Sequence, residues 1–208
     1  MTNKKSPEGP SPQLFFQTVN AHMRTAALKS AIELDVFSAI AEGQSTPKAL
    51  AQRCGGSERG LRMLGDYLTV VGFLTKEGDR YRLTSDSELF LPKNSPAYLG
   101  PVLDFMLSHP FVEGFKQLTG AVRKGGTMVG ENGTLAPEYP EWVTFARSMV
   151  PLMKGPAEWI ANWVRQEAAG TRKVLDVAAG HGVFGIEIAR KIPEADITAQ
   201  DWPNVLTV

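Results

Sequence analysis

The stretch VLDVAAGHGVFGIEIARKIPEADITAQD, Val174 to Asp201 of a 208-residue chain, decides the fold. Lys173 to Val177 is a short, branched, apolar run that predicts a strand. VFGIEIARKI carries helical periodicity and DITAQ predicts a second strand, so the segment is one β-α-β unit. Such a unit binds nucleotides beyond the carboxyl ends of its strands, where the helix N-terminus presents free N–H groups. Gly180, Gly182 and Gly185 spell Gly-x-Gly-x-x-Gly, and a residue without a Cβ lets ligand approach the backbone. To this point NAD and S-adenosylmethionine are served equally.

Register separates the two cofactors. A dinucleotide fingerprint puts its first glycine at the strand end, whereas here Asp176 stands there and Ala178-Ala179 intervene before Gly180. A carboxylate at that position suits the ammonium and sulfonium of S-adenosylmethionine and repels a pyrophosphate. Asp201, at the end of the second strand, can accept from both hydroxyls of a ribose, a role common to both cofactors. His181 in the loop reads as an exposed spacer rather than a catalytic base.

Working toward the N-terminus, EWVTFARSMVPLMKGPAEWIANWVRQEAAG is helical in composition, with Pro151 and Pro156 as points of bending. KGGTMVGENGTLAPEYP reads as a loop and a boundary. AYLGPVLDFMLSHPFVEGFKQLTGAVRKGG predicts two helices interrupted near Pro110. SERGLRMLGDYLTVVGFL carries the stripe Leu61, Leu64, Leu68 and Val71, and TKEGDRYRLTS predicts a hairpin turning at Gly78. STPKALAQRCGG predicts a short capped helix, and Leu14 to Gly43 predicts two helices. Helix, turn, helix, hairpin is the winged-helix order. Residues 1–12 are polar and Pro-rich and read as disordered.

Bulk composition adds exclusions. Twenty-two basic against twenty-two acidic residues leave no net charge to draw nucleic acid or an anionic membrane. No run approaches the ~20 apolar residues of a membrane span, and no signal peptide is present, which predicts a cytoplasmic protein. Cys54 is a lone cysteine, and His22, His109 and His181 are scattered, so no metal site is expected.

DVAAGHG resembles the first motif of class I S-adenosylmethionine-dependent methyltransferases, Asp/Glu-x-Gly-x-Gly-x-Gly, with Ala178 in place of the first glycine. ALKSAIELDVFSAI, TPKALAQRCG, RGLRMLGDYLTVVGFL and GDRYRLTSDSELFL, in that order, resemble small-molecule O-methyltransferases of the plant caffeate and hydroxyindole type and their bacterial relatives. The resemblance runs from about Leu14 to the last residue. It implies a mainly α winged-helix dimerisation domain at 13–98, a helical linker and substrate-lid region at 99–170, and the start of a Rossmann-like α/β cofactor domain at 171–208. It further implies S-adenosylmethionine as cofactor, a homodimer through the N-terminal domain, and a small, aromatic methyl acceptor. Asp176, Ala178, Gly180 and Gly182 would hold the cofactor, Asp201 its ribose, and Trp202 would lie near the adenine. FARSM resembles the family's helix that lays Phe and Met against the cofactor, which assigns Phe145 and Met149.

Only seven residues follow Asp201, and the family's catalytic His lies further downstream. The expectation is therefore an N-terminal portion of a methyltransferase, without appreciable turnover alone. Two other classes compete. A winged-helix DNA-binding regulator is favoured by module order, and residues 44–84 carry seven Lys/Arg against four Asp/Glu. Glu58 and Asp66 cancel Arg59 and Arg62 on its presumed recognition helix, which argues against it. The other is a module that only dimerises; a NAD-dependent oxidoreductase is the enzymatic alternative.

Overall fold

The computed structural model describes residues 9–128, 139–168, 170 and 173–208. Of the expected disorder at 1–12, residues 1–8 lie outside the described residues, as does the middle of the expected loop, 129–138. The chain divides into two units, the first ending at Pro96 and the second running from Ala97 to Val208.

The first unit contains α1 (Gln13–Val19), α2 (Ala21–Glu33), α3 (Val36–Ala41), α4 (Pro47–Cys54), α5 (Glu58–Val70), β1 (Leu74–Glu77), β2 (Arg80–Leu83) and α6 (Ser85–Phe90). Three helices therefore precede Gly43, not two. The breaks fall at Asn20 and at Asp35, which takes a left-handed φ of 58°. Asp tolerates that conformation because a short polar side chain can bond locally, and apolar periodicity runs on across both breaks. α4 is capped as its sequence dictates: Thr46 Oγ1 accepts the Ala49 N–H at 3.3 Å, Pro47 opens the first turn and Gly55 closes the helix. Ser57 Oγ does the same for α5, accepting the Gly60 N–H at 3.1 Å.

β1 and β2 pair antiparallel, with Leu74 opposite Leu83. Tyr81, fully buried, ties this wing to α5: its hydroxyl lies 2.7 Å from Asp66 Oδ1 and 3.0 Å from the Arg62 carbonyl. Gly65 makes room for the ring, since a Cβ there would come within 2.7 Å of it. Phe37, Leu50, Leu61, Leu68 and Leu74 complete the core.

The second unit contains α7 (Val102–Met106), α8 (His109–Lys116), α9 (Leu118–Lys124), α10 (Glu141–Glu167), β3 (Lys173–Val177), α11 (Val183–Lys191) and β4 (Asp196–Gln200). Here too the expected pair of helices is three. The break between α7 and α8 falls just before Pro110, which occupies the first turn of α8, where its missing N–H has no partner to lose. α10 is one element of 27 residues with Pro151 and Pro156 inside it. Each proline removes the N–H that would meet the carbonyl four residues earlier, at Arg147 and Leu152. β3 and β4 pair parallel across the α11 crossover, from Lys173 opposite Asp196 to Val177 opposite Gln200. Ala161 of α10 packs with Ile188 and Ile192 next to Val174 and Ile197.

Candidate functional site

Between β3 and α11 the chain bends sharply. Ala178, Gly180 and Gly182 all adopt left-handed φ, at 56°, 55° and 68°. Glycine does this freely; alanine carries a strain of about 1 kcal/mol. The turn is fastened by Ala179 N–H to the Gln200 carbonyl at 3.1 Å and Gly182 N–H to the Ala179 carbonyl at 2.8 Å. Gly185 serves packing instead, because a Cβ there would sit 2.9 Å from Ile197 Cγ2 and hold α11 away from β4.

Asp201, just past β4, clamps the turn. Its Oδ2 accepts the Gly180 N–H at 2.8 Å and its Oδ1 accepts the Trp202 N–H at 2.7 Å. Each carboxylate oxygen has a further lone pair available. Beside it opens a recess of about 260 Å³ lined by Trp142, Phe145, Ala178, Gly180, Asp201 and Trp202, with Val205 at its base. Five of the eight residues singled out from the sequence thus meet in one place, from α10, the glycine turn and the end of β4.

The other three lie elsewhere. Asp176 and Gly182 line a neighbouring recess of about 340 Å³. Asp176 Oδ2 there accepts the Gly185 N–H at 3.1 Å, so the carboxylate meets the first turn of α11. Met149 is buried, 5% exposed, and is not among the residues lining either recess. Phe145 is 37% exposed and makes edge contacts with Trp142 and Phe105 at centroid distances of 5.7 and 5.0 Å. Trp142 was missed from the sequence, although its place three residues before Phe145 puts both on one helix face.

His181 is not an exposed spacer. Its Nδ1 accepts the Val183 N–H at 3.1 Å, capping α11, and its ring stacks near Phe184. Burial pushes its pKa below the ordinary histidine value, with the Asp176 carboxylate opposing. Among the described residues no group of three or more His, Cys, Asp or Glu is placed to hold a metal. No helix among them is long and apolar enough to cross a membrane.

A third cavity in this unit, of about 310 Å³, is walled by Phe105, Phe111, Phe115, Tyr139 and Trp142. The rings meet edge to face or tilted, Phe105 with Phe111 and Phe111 with Phe115 each at 5.1 Å. Trp142 belongs to both this cavity and the recess at Asp201.

Residues 16–93 match the O-methyltransferase dimerisation domain family. The chain is 29% identical over 206 residues to 3-hydroxy-5-methyl-1-naphthoate 3-O-methyltransferase of Streptomyces sahachiroi, covering 96% of this chain and 58% of that protein. It is 33% identical to the tetracenomycin polyketide synthesis 8-O-methyl transferase of Streptomyces glaucescens, over 99% of this chain and 60% of that one. A crystal structure of a candidate O-methyltransferase from Nostoc punctiforme superposes with a TM-score of 0.90 at 51% identity, over 96% of this chain and 60% of that chain. The chain thus spans about three-fifths of the length of these relatives.

Proposed function

Because residues 16–93 are an O-methyltransferase dimerisation domain, we propose that this chain forms the cofactor half-site and assembly domain of an S-adenosylmethionine-dependent O-methyltransferase. The carrying observation is the Asp201 clamp, which fixes the glycine turn and one wall of the recess in a single side chain. S-adenosylmethionine, when bound, supplies a methyl group activated on a sulfonium. The chain's own residues bind and orient. Asp201 presents acceptor lone pairs to ribose hydroxyls, and Phe145 and Trp202 offer flat apolar faces to an adenine. Gly180 brings backbone close to the ligand where a side chain would intrude. Such positioning is the larger part of what methyl transfer needs from a protein.

Among the described residues lining the recess, Asp201 is the titratable one, and both its oxygens already bond to backbone amides. It holds ligand and is not the base that takes the acceptor's proton. On this reading residues 13–98 assemble the protein, 99–170 supply aromatic walls, and 171–208 hold the cofactor; the methyl acceptor is a small aromatic hydroxyl compound. The match of residues 16–93 sets the duplex-binding alternative aside. Asp66, on its presumed recognition helix, is spent on Lys76 at 2.6 Å and on Tyr81.

Isothermal titration of S-adenosylhomocysteine into the 208-residue protein tests the assignment. Binding that weakens at least about tenfold in Asp201→Ala is expected, the scale of a lost bond to a charged group. Equal affinity of the two proteins, or tighter binding of NADH, would reject it.

A further inference from the structure

Two polar atoms in the aromatic cavity are out of place. Ser108 Oγ and Glu141 Oε2 are shielded from water and have no hydrogen-bond partner among the described residues, and both residues line the cavity. Ser108 stands at the N-cap of α8 with extended backbone angles, where serine ordinarily caps, yet its side chain makes no cap bond. Glu141 is the first residue of α10, in a lining made largely of aromatic and aliphatic side chains. An unpaired buried acceptor burdens the fold that carries it, and such groups persist where a ligand completes them.

We propose that Glu141 and Ser108 are the specificity-determining contacts of this cavity, admitting a planar aromatic molecule that carries an O–H or N–H donor. The donor bonds to Glu141 Oε2, and Ser108 Oγ, which can donate or accept, meets a second polar group on the same molecule. The ring is held edge to face among Phe105, Phe111 and Trp142. A cavity of about 310 Å³ is at the small end of ligand sites, which suits a molecule of one or two fused rings. That this molecule is the methyl acceptor rests on the function proposed above and on Trp142 being common to both recesses. The selectivity itself does not rest on it.

The test compares 1-naphthol with 1-methoxynaphthalene by titration calorimetry at neutral pH, without cofactor. The naphthol is expected to bind at least about tenfold tighter, because a site built for a donor penalises the analogue that lacks one. Glu141→Leu should bring the two affinities within about twofold by weakening the naphthol alone, and Ser108→Ala should leave the preference intact, because 1-naphthol lacks the second polar group that Ser108 would meet. Equal binding by the wild-type protein, or a preference that survives Glu141→Leu, overturns the proposal. Thermal unfolding guards the variant: an unchanged or raised midpoint accords with a ligand-directed carboxylate. A lowered midpoint with both affinities lost would assign Glu141 to folding and overturn the proposal. Naphthol selectivity retained in a protein that fails to bind S-adenosylhomocysteine would support these two residues while removing the cofactor assignment.

Discussion

Ala178 holds a left-handed conformation in the middle of the turn, at a position where the resembling motif has glycine. Ala178→Gly relieves that strain and is expected to stabilise the chain by about 1 kcal/mol, read as a higher thermal midpoint. His181 gives a second residue-scale expectation. Its imidazole accepts the Val183 N–H through Nδ1 and so must be unprotonated there, and burial depresses its pKa in the fold. The unfolded chain therefore binds the proton first. The stability due to this residue is complete above the ordinary histidine range near pH ~6.5 and drains away as pH falls toward the depressed folded value. Chemical denaturation between neutral and mildly acidic pH checks the sign: His181→Gln should flatten the slope. A slope unchanged in that variant would assign the pH dependence elsewhere.

At the scale of elements, α11 lies close on β4 because Gly185 has no side chain to meet Ile197. Gly185→Ala is expected to destabilise by about 1–3 kcal/mol, the cost of overpacking, despite alanine's better helix propensity. A rise in the thermal midpoint would show that the helix can shift without loss. The same scale shows why some features could be read from sequence and others could not. The caps at Thr46 and Ser57 and the β-α-β unit are local, so residue type and spacing carry them. The breaks at Asn20, Asp35 and Gln117 are single-residue backbone choices inside unbroken apolar periodicity, and periodicity does not register them. Phe145 and Met149, assigned together by the resemblance, stand four residues apart on α10. Four residues overshoot one turn by about 40°, enough here to leave Phe145 at the recess and carry Met149 into the interior. Asp176, assigned to ligand by its charge and by the motif it opens, also accepts an amide of α11 at its Oδ2, a bond that spacing alone does not register.

For the whole molecule, the informative surface is apolar. Leu14, Phe15, Phe16 and Val19 leave α1 without one buried residue, and Phe15 and Phe16 are 63% and 56% exposed. A seven-residue helix of this kind does not hold in water by itself and calls for a covering partner. With the dimerisation domain match, a second copy is the expected cover, and light scattering at micromolar concentration should report twice the monomer mass. Phe15→Asp with Phe16→Asp should return a monomer; a wild-type monomer would refute the assembly. Leu175 and Val177 stand exposed on a parallel pair of strands, an arrangement that ordinarily has both faces covered. Trp142 is a party wall, shared by the recess at Asp201 and the aromatic cavity. A tenant of either room that tilted this ring would alter the other's affinity, and reciprocity would make the factor the same in both directions.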